Sequence, residues 1–119
     1  MIRIEIPLKL PSLNEYIKQI NRNKCIGSSF KKQIQNDISW FMVGIKPIEK
    51  PVKIRFTWHE ANNKRDLDNI CSAKKYILDS MVEMGILKND TRKYVNGFVD
   101  EFPEPRGEYK VILEIEEAN

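Results

Sequence analysis

Asp66 and Asp68 stand one residue apart in Lys64-Arg65-Asp66-Leu67-Asp68-Asn69, and Asp90 follows in Asn89-Asp90-Thr91. Carboxylates drawn together repel one another unless a cation lies between them, and an all-oxygen donor set favours Mg²⁺ or Mn²⁺ over zinc. At about 100° per residue, a helix counted from Asp68 places Ser72, Lys75 and Asp79 within roughly 40° of it, so one face holds two carboxylates and an ammonium. Lys74 points elsewhere. Ile70, Ala73, Ile77, Met81 and Met84 fall on the other side, as a core stripe does. Each acid also has a plainer use. Asp66 or Asp68 serves as a helix N-cap, worth about 1 kcal/mol, and Asp90 as a turn residue. One cap needs one Asp, however, and it is the redundancy of acids that points to an ion.

The rest of the inventory narrows the chemistry. His59 is the sole histidine, and Cys25 and Cys71 are the only cysteines. Histidine-based triads and four-ligand Cys/His zinc sites are therefore excluded within one chain. His59 is available as a general base, but its outward position on a strand fits a surface or phosphate contact better. No apolar run approaches the roughly 18 residues of a membrane span. The N-terminus enters a charged strand pattern directly, so a soluble, cytoplasmic protein with reduced thiols is expected. Net charge is +3 over 119 residues, but residues 1–59 carry 11 Lys and Arg against 4 Asp and Glu, and residues 60–119 carry 9 against 13. A basic half suits a polyanion, and an acidic half beside it suits a hard cation.

The elements that must position these residues follow from periodicity. Ile2, Ile4, Ile6 and Leu8 alternate with polar residues as in a half-buried strand, which Pro7 places at an edge or an end. Residues 11–27 are polar and turn-rich, and a partly helical, mobile loop is expected. Ser28 or Ser29 caps a helix carrying Phe30, Ile34, Ile38, Phe41 and Ile45, closed by Pro47 and Pro51. Val52, Ile54, Phe56 and Trp58 mark a second strand. Asp68–Met84 is the longest helical pattern and ends at Gly85. Residues 94–102 and 108–116 read as an antiparallel hairpin across Pro103–Gly107, with Tyr109, Val111, Leu113 and Ile115 facing inward. Trp40 and Trp58 sit in periodic apolar segments and are expected in the core. The whole is one domain, 1–119, of α+β class: a single mixed sheet of about four strands with two main helices.

Arg65-Asp66-Leu67-Asp68-Asn69, the helix containing Lys75 and Asp79-Ser80-Met81, Gly85, and Asn89-Asp90 together resemble the RusA family of Holliday-junction resolvases. Pro11-Ser12-Leu13-Asn14 is similar to that family's N-terminal Pro/Ser/Asn element, so the resemblance spans Ile2 to about Ile115. It implies a homodimeric, Mg²⁺-dependent endodeoxyribonuclease, with Mn²⁺ able to substitute, that cuts branched DNA symmetrically in recombination and repair, and it fits a phage or prophage origin. By the same resemblance Asp66, Asp68 and Asp90 bind metal and Lys75 is the catalytic lysine. One departure stands out: better-known members carry the lysine nearer the second Asp, where this chain has Ser72. About one extra helical turn preserves the face and brings Lys75 into the role.

On this reading the basic half is a phosphate-binding surface. Asn14, Lys18, Arg22, Lys24, Lys31 and Lys32 lie in or beside the N-terminal loop, and Lys64, Arg65, Arg92 and Lys93 near the acids. Phe30 is a candidate base-stacking ring. Two chains are required because paired nicks across a symmetric junction need two sites. The rivals are a nucleic-acid-binding protein that kept the fold without catalysis, and a nuclease of the same chemistry acting on flaps or forks.

Overall fold

A computed structural model describes residues 1–118. Four strands form one mixed sheet in the order β1 (Ile2–Ile6), β4 (Lys110–Glu117), β2 (Val52–His59), β3 (Val95–Glu101). Strand β4 pairs antiparallel with both β1 and β2, whereas β3 runs parallel to β2. Parallel neighbours need a crossover, and α3 (Leu67–Cys71) and α4 (Lys74–Glu83) supply it. Helices α1 (Leu13–Arg22) and α2 (Lys24–Ser39) form an antiparallel pair, with α2 against α4. Alternation along β2 and β4 sends Val52, Ile54, Phe56 and Trp58, and Val111, Leu113 and Ile115, into one core shared with Ile77 and Met81 of α4 and Ile38 of α2.

The expected hairpin is not formed. Strands β3 and β4 are separated by β2, and the segment between them crosses the end of β2, where the Arg106 and Gly107 amides donate to the carbonyls of Glu60 and Ala61. The place beside β3 is taken by β2, which runs parallel to it, and Gly107 takes a positive φ of 78° that lets the chain turn into β4.

Residues 11–27 are more regular than expected. Ser12 caps α1 by accepting from the Glu15 amide at 3.2 Å, and Asn23, rather than Ser28 or Ser29, caps α2 by accepting from the Cys25 amide at 2.7 Å. The two helices touch at Gly27, where an added Cβ would lie 2.7 Å from Ile20 Cγ1 and 2.9 Å from its Cα. Gly27→Ala is therefore expected to destabilise the protein by about 1–3 kcal/mol through overpacking, measurable as a lower urea midpoint with unchanged slope. Helix α2 ends in a short 3₁₀ turn, Trp40–Met42, which buries Met42 and turns Trp40 outward. The expectation for the tryptophans is thus half right: Trp58 is 4% exposed, but Trp40 is 77% exposed.

Candidate active site

Asp66 occupies the N-cap position of α3 with extended backbone angles, yet its side chain makes no capping hydrogen bond, and Asp68 follows in the first turn. Both are exposed, and neither carboxylate takes a hydrogen bond or ion pair among the described residues. The plainer use of Asp66 as a side-chain cap is therefore not realised. Across from them, Pro11–Asn14 docks on α3. The Leu13 amide donates to Ser72 Oγ at 3.0 Å, and Asn14 Nδ2 donates to Asn69 Oδ1 at 3.1 Å.

Ser72 also reshapes the helix. Its hydroxyl donates to the Asn69 carbonyl at 2.8 Å, the group that the Ala73 amide would use in an unbroken α-helix; that amide bonds Ile70 instead, at 3.4 Å. Lys75 and Tyr76 likewise bond three residues back. The expected continuous helix is thus two, α3 and α4, joined by a 3₁₀ step. Three residues per turn rather than 3.6 shift the faces by about 20° per residue across the joint, yet Ile70, Ala73, Ile77 and Met81 all stay buried and Lys75 meets Asp79, so the expected facing holds except at Met84. Met84, the C-cap residue of α4, is exposed, and Tyr76, Leu78 and Ser80 are buried along with Ile77 and Met81, with α4 packed on α2.

Lys75, at the start of α4, lies 3.2 Å from Asp90 and 3.1 Å from Asp79. Both carboxylates, Asp79 first, raise its pKa above the usual lysine value, so it is an ammonium throughout the neutral range. Asp90 sits in an Asx turn in which the Thr91 amide donates to Asn89 Oδ1 at 3.0 Å, so the turn geometry is supplied by Asn89 and leaves the Asp90 carboxylate to Lys75. Lys74 is committed elsewhere. Its ammonium is 2.7 Å from Asp100 on β3 and rests over the Phe98 and Phe56 rings, while Trp58 Nε1 donates to the other Asp100 oxygen at 2.9 Å. Nothing in the local sequence marks Asp100, because its partners come from a different helix and strand.

Among the described residues, no three Asp, Glu, His or Cys side chains are grouped to hold one metal ion. Asp66 and Asp68 lie at the head of α3, and Asp90 is engaged by Lys75. The donor chemistry itself fits a hard divalent cation: oxygen-only ligands, two of them carrying no protein partner. His59 is neutral at pH 7, since burial and then the Lys110 charge lower its pKa, and it brings no positive charge to a phosphate.

The basic residues are carried by helices. Lys18 and Arg22 are exposed on α1; Lys24, Lys31 and Lys32 line an open groove beside Tyr16 and Ser28. Phe30 stacks on Tyr16 at 6.5 Å between α1 and α2, so its ring packs inside the helix pair. Lys64, Arg92 and Lys93 are exposed. Arg65 is turned inward, giving two nitrogens to Glu60 at 2.8 and 2.7 Å and a third to the Leu10 carbonyl at 2.8 Å. Its part in the site is to fix the start of the Asp66–Asp68 segment against β2 and the N-terminal element.

Fold and site together define an α+β protein whose candidate centre is built from carboxylates and lysines at the head of a crossover. A family model described as endodeoxyribonuclease RusA matches residues 3–116. The chain belongs to this family of endodeoxyribonucleases. No curated protein matches it. Among the described residues no helix is long and apolar enough to cross a membrane.

Proposed function

We propose that the protein is a Mg²⁺-dependent endodeoxyribonuclease that resolves four-way DNA junctions by paired symmetric nicks, acting as a homodimer in recombination and repair. The observation that carries this reading is the pair of carboxylates, Asp66 and Asp68, left without partners among the described residues at the head of α3 in a chain of the RusA family. Asp66, Asp68 and Asp90 would hold the cation, which supplies an activated water and neutralises charge on the phosphate. Lys75 holds a fixed positive charge beside Asp90, where it stabilises charge developing on the phosphate or orients that carboxylate. Asn14 sets the N-terminal element against α3 through Asn69. Lys18, Arg22, Lys24, Lys32 and Lys64 are proposed to contact the backbone, Lys31 being paired with Asp79 at 3.1 Å, and two chains supply the two sites that a two-fold junction requires.

Metal binding has a test that needs no substrate. Mg²⁺ or Mn²⁺ is expected to raise the Tm of the wild type, because a ligand bound only by the folded state stabilises it, and Asp68→Asn is expected to abolish the shift. A shift of equal size in the variant would remove Asp68 from the ligand set. Substrate class is tested by cleavage of labelled four-way, flap and fork DNAs side by side. Preference for the four-way junction is expected; equal or better cutting of flaps or forks would replace that part of the reading.

A further inference from the structure

Asp79 has no part in the reading above. It lies one helical turn after Lys75, and its two oxygens are held by two lysines from different helices: Oδ1 by Lys75 Nζ at 3.1 Å and Oδ2 by Lys31 Nζ of α2 at 3.1 Å. The Lys75 ammonium that it holds lies at the same time 3.2 Å from Asp90 Oδ2. An isolated pair of this spacing on a helix surface does little, because two long side chains must be ordered for one screened contact. Asp79 differs in being ordered from outside the pair. Its side chain is 22% exposed and is clamped by Lys31 of α2, whereas the Lys75 side chain is 57% exposed, has four rotatable bonds and meets, besides Asp79, only Asp90 of the loop after α4.

We propose that Asp79 is a positioning residue that, clamped by Lys31, holds the Lys75 ammonium against Asp90. This rests on the reading of Lys75 and Asp90 as residues of the reacting centre. A lysine roaming through solvent would be present at Asp90 only part of the time, and the loss would appear in the rate of the bound complex rather than in affinity for DNA.

The test uses the full chain with Asp79→Asn, which keeps shape and removes charge, and Asp79→Glu, which keeps charge. In metal-free protein, ¹⁵N relaxation of the Lys75 ammonium is expected to show greater mobility in Asp79→Asn. On a labelled four-way junction with Mg²⁺, single-turnover cleavage is expected to fall at least tenfold, with the Kd for the junction changed less than twofold, and Asp79→Glu is expected to recover part of the rate. Should Asp79→Asn not fold, Asp79→Glu decides: ordered Lys75 and at least a tenth of the wild-type rate support the proposal. Unchanged Lys75 mobility, a wild-type rate in Asp79→Asn, or a loss confined to affinity overturns it alone. A wild type that cuts no DNA overturns it together with the reading on which it rests.

Discussion

Asp68→Asn is expected to lower the single-turnover rate of DNA cleavage by at least two to three orders of magnitude, about 3–4 kcal/mol of transition-state stabilisation, while leaving the protein folded and able to bind DNA. The separation of effects follows from the environment of the side chain. Asp68 is exposed and has no partner among the described residues, so an amide of the same shape breaks no contact on which the fold depends. Removing one negative charge near a polyanion also favours binding. Cleavage in Mg²⁺ and gel mobility shift in EDTA, on the same labelled junction, check the two halves. A variant that cuts within threefold of the wild type would show that Asp68 takes no part in the chemistry.

Arg65→Ala is expected to act on the opposite property, costing about 3–5 kcal/mol of stability. The Arg65 and Glu60 side chains are 16% and 9% exposed, and they meet through two hydrogen bonds while a third reaches Leu10. Truncating the arginine leaves the Glu60 carboxylate buried without a counter-ion and the Leu10 carbonyl without its donor, a far larger penalty than the net worth of the pair. A fall in Tm of roughly 10–20 °C is expected for a domain of this size. Adding Glu60→Gln to the same chain should recover part of the loss, since the uncompensated charge is gone. A loss below about 1 kcal/mol in Arg65→Ala would mean that the pair is dispensable, and would return Arg65 to the pool of residues available for phosphate.

These two residues, three apart in the chain, show what sequence can and cannot say about the site. Aspartates at the head of a helix and an apolar stripe after them are local patterns, and they reappear as α3, α4 and the packed Ile77 and Met81. The strand alternation of Val52–Trp58 and Val111–Ile115 is equally local, because one face of each strand must be buried. Beside Lys64, Arg65 reads as a surface cation available to phosphate. That it turns inward depends on Glu60 at the end of β2 and on Leu10, whose proximity is decided by the sheet rather than by spacing.

The remaining departures share that origin. The break between α3 and α4 comes from one hydroxyl, Ser72, competing for the Asn69 carbonyl and held in place by the Leu13 amide from the other end of the chain. Helix α1 buries no residue fully and is too polar to announce itself, yet Ser12 caps it and Gly27 lets α2 close against it. Trp40 belongs to an apolar period, but the 3₁₀ turn rotates Met42 inward in its stead. The place of β4 between β1 and β2, and the ties of Lys31 to Asp79 and of Lys74 to Asp100, join elements that have no local signal for one another.

The most direct measurement is the fate of a labelled four-way junction, with linear duplex of the same sequence as control, given to the wild type and to Asp90→Asn in Mg²⁺. Paired nicks in the junction by the wild type, an intact linear duplex, and at least a hundredfold slower cutting by Asp90→Asn are expected. Wild-type rates from Asp90→Asn, or equal cutting of junction and linear duplex, would contradict the proposed function.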